Sequence, residues 1–152
     1  MIFETVTWDD PRALALRAAM DAETGAMYAE RATTPEIAES LAIDPATIVH
    51  TVIALDDDGT PVAHAALRPW NDELEVKKVF VAANARGRGL SRALMTELER
   101  VAGERGIRSL ILQTGDLQVA AIALYLSMGY EPVPVYGKYT AIPFALCYRK
   151  AL

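Results

Sequence analysis

An arginine- and glycine-rich turn carries the clearest chemical signal in this sequence. It reads Arg86-Gly87-Arg88-Gly89-Leu90-Ser91, between a predicted strand that ends at Val81 and a predicted amphipathic helix. The first amides of a helix have no partner within it and favour an anion. Glycine lets a ligand approach the backbone, and arginine adds positive charge. The turn therefore predicts a site for a phosphate-bearing cofactor.

A second segment places a phenol on the next predicted helix. Residues 121–130 read Ala-Ile-Ala-Leu-Tyr-Leu-Ser-Met-Gly-Tyr, with Tyr125 on one stripe with Ala121 and with Gly129 ending the helix. A phenol with an ordinary pKa of about 10 can act as a general acid. The alternative is that Tyr125 is only a core aromatic residue.

Glu75 is the candidate general base, because it lies on the strand that leads into the turn. Strict alternation places Glu73, Glu75, Lys77, Val79 and Val81 on one face of that strand. The alternative is a surface carboxylate paired with Lys77.

Metal chemistry and a cysteine nucleophile are not expected. His50 and His64 are isolated, and Cys147 is the only cysteine, so no ligand spacing is present. Cys147 alternates with apolar residues in the last strand and is predicted to be a buried thiol.

The segment 132–139 contains two prolines and two tyrosines. It is predicted to be either a loop that closes over the substrate or an ordinary edge loop.

Hydrophobic periodicity predicts an α+β protein with the order β-α-α-β-β-β-α-β-α-β-β. Helices are expected from about residue 11 to 30, with a possible break near Gly25, from about 35 to 43, from 90 to 102, and from a cap at Asp116 to 128. Strands are expected at 2–7, 47–55, 61–67, 73–81, 107–113, 130–135 and 144–149.

Length and composition bound the class of protein. With 152 residues and 52% hydrophobic residues, we expect one globular domain spanning residues 1–152. No apolar run approaches the roughly 20 residues of a membrane span, and the first residues lack the layout of a signal peptide. We therefore expect a cytoplasmic protein without a membrane partner.

The net charge of −5 argues against nucleic-acid binding but hides an asymmetry. Residues 1–60 hold three arginines against twelve acidic residues, whereas residues 61–152 hold twelve basic against eight acidic residues. This division suggests an anionic cofactor and a cationic substrate. The alternative is that the acidic residues only aid solubility.

The order of elements and the two segments resemble the GNAT superfamily of acetyl-CoA-dependent N-acetyltransferases across essentially the whole chain. The family motif, Gln/Arg-x-x-Gly-x-Gly/Ala, is matched from Arg86 to Leu90 and departs at Ser91, which is still small. The resemblance implies a central, mostly antiparallel mixed sheet of six or seven strands with about four helices. It also implies that two strands splay at the cofactor site.

The resemblance further implies roles for individual residues. The pyrophosphate would bind the amides of residues 86–91, and the pantetheine arm would pair with Val79, Phe80 and Val81, with a backbone N–H there holding the thioester carbonyl. Tyr125 falls at the position of the general acid, and glutamates like Glu75 often serve as the base, sometimes through water. Two further cofactor contacts are implied, at Ala121 and at Gln118, where many relatives have asparagine. The helical region that lines acceptor sites in relatives carries Asp21, Glu23 and Glu30 here, which implies a small cationic amine or amino acid as acceptor.

The activity implied is direct transfer of an acetyl group from acetyl-CoA to a primary amine of a small molecule or amino acid, in a ternary complex and without a metal. A protein N-terminus or lysine is an alternative acceptor, and a non-catalytic CoA-binding regulatory module is an alternative function. Dimerisation is common in the family, so a homodimer is possible.

Overall fold

The computed structural model describes all of residues 1–152 and contains seven strands and four α-helices. The strands are β1 (Ile2–Val6), β2 (His50–Leu55), β3 (Pro61–Trp70), β4 (Glu73–Val81), β5 (Ser109–Gly115), β6 (Glu131–Val133) and β7 (Ala145–Ala151). The helices are α1 (Pro11–Met27), α2 (Pro35–Leu41), α3 (Leu90–Glu104) and α4 (Val119–Ser127). No helix has the length and apolar character needed to cross a membrane.

All seven strands form one mixed sheet in the order β1-β2-β3-β4-β5-β7-β6. Every neighbouring pair is antiparallel except β4 and β5, which are parallel. The short strand β6 lies at the edge, where Pro132 removes no hydrogen bond from the interior of the sheet. The predicted α+β class and mixed, mostly antiparallel sheet are confirmed.

Helices cover both faces of the sheet. The face under α3 holds the larger core, in which Leu90, Leu94 and Leu98 are buried as their spacing predicts. On the opposite face, α1 packs Leu16 against Phe80 of β4. These two layers fix the positions of the ends of β4 and β5.

Two helix boundaries differ from the sequence prediction. Helix α1 starts with Asp10 as its N-cap and a proline at its first position, and it ends at Met27. It runs unbroken through Gly25, because a helix tolerates a single interior glycine. Helix α4 begins at Val119 with Gln118 as its N-cap. Asp116 does not cap it, since its carboxylate pairs with Arg31 at 3.2 Å.

The parallel strands β4 and β5 splay apart, as the resemblance implied. Their pairing is limited to Leu74–Val76 of β4 against Leu110–Leu112 of β5. Beyond Val76, β4 continues beside β3, and β5 continues beside β7 as far as Gly115. The β5-facing backbone of residues 77–81 is therefore left without a strand partner, which opens a cleft in the middle of the sheet.

A β-bulge interrupts β4 within this unpaired part. Lys77 pairs with Ala66 but Phe80 pairs with His64, so β4 gains one residue relative to β3. Lys78, in the bulge, has a φ of 55°, an unusual conformation for a residue other than glycine.

The bulge corrects the predicted alternation along β4. Val79 and Val81 pack with Leu74 and Val76 in the core under α3. Glu75 and Lys77 lie on the opposite face, so the two valines do not share a face with them. The extra residue reverses the side-chain direction after Lys78.

Candidate active site

A cleft of about 910 Å³ occupies the gap between the diverging ends of β4 and β5 and extends to α1, α2, α3 and α4. Most of the sequence-predicted cofactor residues line it, namely Val79, Phe80, Val81, Arg86, Gly87, Gly89, Leu90, Ser91, Gln118, Ala121 and Tyr125. Two predicted site residues, Glu75 and Arg88, do not line it. The fold thus joins the two segments that the sequence singled out.

The N-terminus of α3 opens into this cleft without a side-chain cap. Gly89, the N-cap residue, has a φ of 76°, and Gly87 has a φ of 80°. A Cβ atom at either position would meet no atom within 4 Å, so the backbone conformation, and not space, requires glycine. Because no side chain accepts from the first-turn amides, these N–H groups can bind an anion.

The two arginines of the turn take different directions. Arg86 lines the cleft, donates to both carboxylate oxygens of Glu23 at 2.6 and 2.7 Å, and donates to the carbonyl of Val81. Arg88 lies outside the cleft and pairs with Asp56 at 3.1 Å. The implied contact of residue 88 with the cofactor is through its backbone amide and stays a prediction, while the ion pair directs the Arg88 side chain away from the cleft.

Arg92 is a cleft cation that the sequence reasoning missed. It follows the turn directly, in the first turn of α3, and donates to the hydroxyl of Ser127 on α4 at 2.6 Å. Its position in the sequence, one residue after Ser91, could have predicted this, because a cation there lies beside the uncapped amides of α3.

Tyr125 is both a core residue and a wall of the cleft. Only 6% of it is exposed, and its ring lies 5.8 Å from that of Tyr130 and 6.4 Å from that of Tyr148. Burial raises the pKa of Tyr125 to about 12. The phenol therefore keeps its proton through the neutral range and has it available to donate.

Glu75 is not exposed to the cleft and is not a surface residue. It is 1% exposed, one carboxylate oxygen accepts from Arg68 Nε at 2.5 Å, and the other accepts from the hydroxyl of Tyr136. From this position Glu75 would act as a general base only through a relay such as water, and that role stays a prediction. The alternative of a surface pair with Lys77 is wrong, since Glu75 is buried and its partner is Arg68.

Lys77 is a buried cation that lines the cleft, and residue type did not predict it because lysine is seldom buried. It is 7% exposed, and its Nζ donates to the hydroxyl of Tyr139 at 2.6 Å. Desolvation lowers the pKa of Lys77 to about 8. The side chain therefore remains mainly protonated at neutral pH.

The acidic residues expected to bind a cationic acceptor are committed elsewhere. Asp21 pairs with Lys78 at 3.1 Å, and Glu23 pairs with Arg86 at 2.6 Å. Glu30 does not line the cleft. Asp21 and Glu23 thus line the cleft while they neutralise cations of the β4–α3 region, and the cationic acceptor stays a prediction.

The tyrosines of segment 132–139 support the cleft from behind. Tyr136 and Tyr139 bind Glu75 and Lys77, but neither lines the cleft, so the expected substrate loop is not found there. Two other aromatic residues, Tyr28 and Phe144, line the cleft, and their stacked ring centroids lie 4.9 Å apart.

Tyr28 also fixes the end of β5. Its hydroxyl accepts from the backbone N–H of Leu117 at 3.0 Å and covers Gly115, where a Cβ atom would lie 1.9 Å from the hydroxyl oxygen. Only glycine is compatible with this approach. The end of α1 is thereby tied to the β5–α4 connection across the cleft.

Cys147 is 3% exposed, as expected of a buried thiol, and desolvation raises its pKa. A thiol with a raised pKa is a weak nucleophile. The structure contains no group of three or more histidine, cysteine, aspartate or glutamate side chains arranged to hold a metal ion.

A family model described as "Acetyltransferase (GNAT) family" matches residues 11–130. An IAA acetyltransferase of Azospirillum brasilense is 37% identical over 78 residues, which are 51% of each chain. A streptothricin acetyltransferase of Streptomyces lavendulae is 34% identical over 82 residues, 53% of this chain and 43% of that protein. The chain thus matches about half or less of the length of these curated relatives.

Solved structures of other proteins superpose on nearly the full length of this chain. A Klebsiella pneumoniae protein assigned as an acyl-CoA N-acyltransferase superposes with a TM-score of 0.83 at 26% identity, covering 99% of this chain and 97% of that one. A GNAT family acetyltransferase of Elizabethkingia anophelis with acetyl-CoA bound has a TM-score of 0.72 at 15% identity, covering 99% and 97%, a likeness of fold alone.

Proposed function

Since this chain belongs to the acetyltransferase (GNAT) family, we propose that it transfers the acetyl group of acetyl-CoA directly to a primary amine of a small molecule or amino acid. One observation carries the proposal. A single cleft combines the uncapped N-terminus of α3, the unpaired backbone of residues 77–81 and the protonated phenol of Tyr125.

The residues of the cleft fit acetyl-CoA. The first-turn amides of α3 bind the phosphates, assisted by Arg92 and by Arg86, whose guanidinium exchanges the carboxylate of Glu23 for a phosphate. The unpaired backbone of Val79–Val81 offers hydrogen bonds to an extended amide-containing arm, as in strand addition. When bound, acetyl-CoA supplies an acetyl group activated as a thioester.

The backbone at the bulge and the phenol of Tyr125 have separate roles in the reaction. A backbone N–H of Val79 or Phe80 stabilises negative charge that develops on the acyl oxygen. The amine nitrogen forms its bond to the acetyl carbon as the carbon–sulfur bond breaks, and Tyr125 gives its proton to the departing sulfur. The proton lost by the nitrogen passes to solvent, and solvent reprotonates Tyr125, so the products are the free thiol and an N-acetylated amine.

The acceptor attacks as a neutral amine. An alkylammonium has a pKa of about 10.4, and a nearby cation lowers it by disfavouring a second positive charge. Lys77 supplies such a cation at the wall of the cleft. In this proposal Glu75 is a positioning residue that fixes Arg68 and Tyr136 behind Lys77.

The proposal is tested by following thiol release from acetyl-CoA against a panel of amines and amino acids. Acceptor-dependent release with an intersecting initial-velocity pattern is the expected result. Parallel lines would indicate a covalent acetyl-enzyme, which the burial of Cys147 disfavours. Release only with peptides bearing a free N-terminus or a lysine would favour a protein acceptor. Binding of acetyl-CoA without release for any acceptor would favour the regulatory module.

A further inference from the structure

The ammonium of Lys77 forms no ion pair, although the charge of the neighbouring Glu75 acts on it at longer range. The neighbouring Glu75 is occupied by Arg68 and Tyr136, and the one hydrogen bond from Lys77 Nζ goes to the neutral hydroxyl of Tyr139. An ammonium group has three donors, so two remain available. Taking a charge out of water without a counter-charge is costly, and a buried ammonium therefore favours an anionic ligand.

This cation lies beside the apolar end of the cleft. Tyr139, its hydrogen-bond partner, packs with Ile37 of α2, and Phe144 packs against the same cluster. Ile37 and Phe144 line the cleft together with Lys77 and Tyr28. Lys77 thus lines the cleft beside this apolar and aromatic cluster, with its Nζ directed to the hydroxyl of Tyr139.

The carboxylates that line the cleft leave this end without negative charge. Asp21 and Glu23 are the acidic residues of the lining, and both are paired, with Lys78 and Arg86 respectively. A ligand that contacts Lys77 therefore meets an unbalanced positive charge next to apolar surface.

We propose that the acceptor of this enzyme is an α-amino acid with an apolar side chain, whose carboxylate binds the ammonium of Lys77 and whose side chain packs against Tyr28, Ile37 and Phe144. This assignment rests on the proposed function, since it names the acceptor of the same cleft. It replaces the cationic acceptor that the charge distribution of the sequence suggested.

The kinetic test compares L-phenylalanine with 2-phenylethylamine, which lacks only the carboxylate. The wild type is expected to acetylate L-phenylalanine with a kcat/KM at least tenfold higher. Lys77→Met keeps the length of the side chain and removes the charge. It is expected to lose that preference, because kcat/KM falls about 10- to 100-fold further with L-phenylalanine than with 2-phenylethylamine, the scale of a hydrogen bond to a charged group. Lys138→Met, at an exposed lysine in the following loop, is the matched control and is expected to keep the preference.

A binding test separates this assignment from the proposed function. The probe is 3-phenylpropionate, which has the carboxylate and ring but no amine, titrated by calorimetry into the wild type and Lys77→Met in the presence of CoA. Binding at least tenfold weaker in Lys77→Met supports the assignment even if no amine is acetylated. Equal binding to the two proteins, or a wild-type preference for 2-phenylethylamine, overturns it. Circular dichroism and melting temperature verify that Lys77→Met is folded.

Discussion

The Nδ1 atom of His64 lies 2.8 Å from the carbonyl oxygen of Lys78, the residue with positive φ in the bulge of β4. On the other side of the ring, Nε2 lies 2.9 Å from Arg17 Nη1. A carbonyl only accepts and a guanidinium only donates, so Nδ1 carries the proton and Nε2 accepts. His64 is fully buried, and Arg17 is itself held by the carbonyl of Trp8 at 2.6 Å. A fixed neutral imidazole therefore anchors the bulge from behind.

Removing this anchor is expected to lower the rate more than cofactor affinity. His64→Phe keeps a ring but removes the hydrogen-bond partner of the Lys78 carbonyl and of Arg17 Nη1, and we expect a loss of about 1–3 kcal/mol in the free energy of unfolding. Because the adjacent amides act on charge that develops during reaction, kcat should fall about tenfold or more with little change in the KM for acetyl-CoA.

Two variants control this prediction. His64→Asn retains a donor at the position of Nδ1 and should recover part of kcat. His50→Asn alters another buried histidine, whose Nε2 has no hydrogen-bond partner, and should leave kcat near the wild-type value. Equal kcat for His64→Phe and the wild type would show that the bulge does not depend on His64.

The buried imidazole also makes stability depend on pH. Desolvation lowers the pKa of His64 from 6.5 to about 4, so between these values the unfolded chain binds a proton that the folded protein does not. This contribution is complete above pH 6.5 and is lost as the pH falls toward 4, to a total of about 3 kcal/mol. Urea unfolding at a series of pH values measures it. His64→Gln should flatten that pH dependence, and an unchanged slope would contradict the assignment.

Arg86 and Arg88 provide a matched pair for the cofactor site. Arg86 lines the cleft, whereas Arg88 is paired with Asp56 outside it. Arg86→Gln removes a charge-assisted contact and should weaken CoA binding about tenfold in calorimetry. Arg88→Gln carries the same change of charge and should bind CoA within about twofold of the wild type. Equal losses in the two variants would mean that general charge, not position, governs binding.

The sequence correctly predicted features that depend on neighbouring residues, such as hydrophobic periodicity and helix starts. Leu90, Leu94 and Leu98 recur at helical spacing and are buried as expected, and the glycines before them mark the start of α3. The position of Tyr125 on α4 follows from the same periodicity. The family resemblance added the splay of β4 and β5, which depends on strand order and has no local signature.

The features that were missed depend on pairing between distant segments. Nothing in the residues around Lys78 marks a bulge, because the extra residue exists only relative to β3. Lys77 and Glu75 were expected at the surface or in the site by residue type, but Arg68, Tyr136 and Tyr139 converge on them from β3 and the β6–β7 connection. Burial of such a cluster is decided by tertiary packing.

The most direct test of the account is acceptor-dependent release of CoA from acetyl-CoA by the wild type, Tyr125→Phe and Tyr130→Phe. Tyr130 is the matched control because its hydroxyl donates to Glu99 and it does not line the cleft. We predict equal amounts of free thiol and N-acetylated amine for the wild type and Tyr130→Phe. For Tyr125→Phe we predict a kcat lower by about 10²-fold or more, the scale of general acid catalysis, with unchanged CoA affinity. A Tyr125→Phe rate equal to that of the wild type would contradict the account, as would acetyl-CoA binding by the wild type without release for any acceptor.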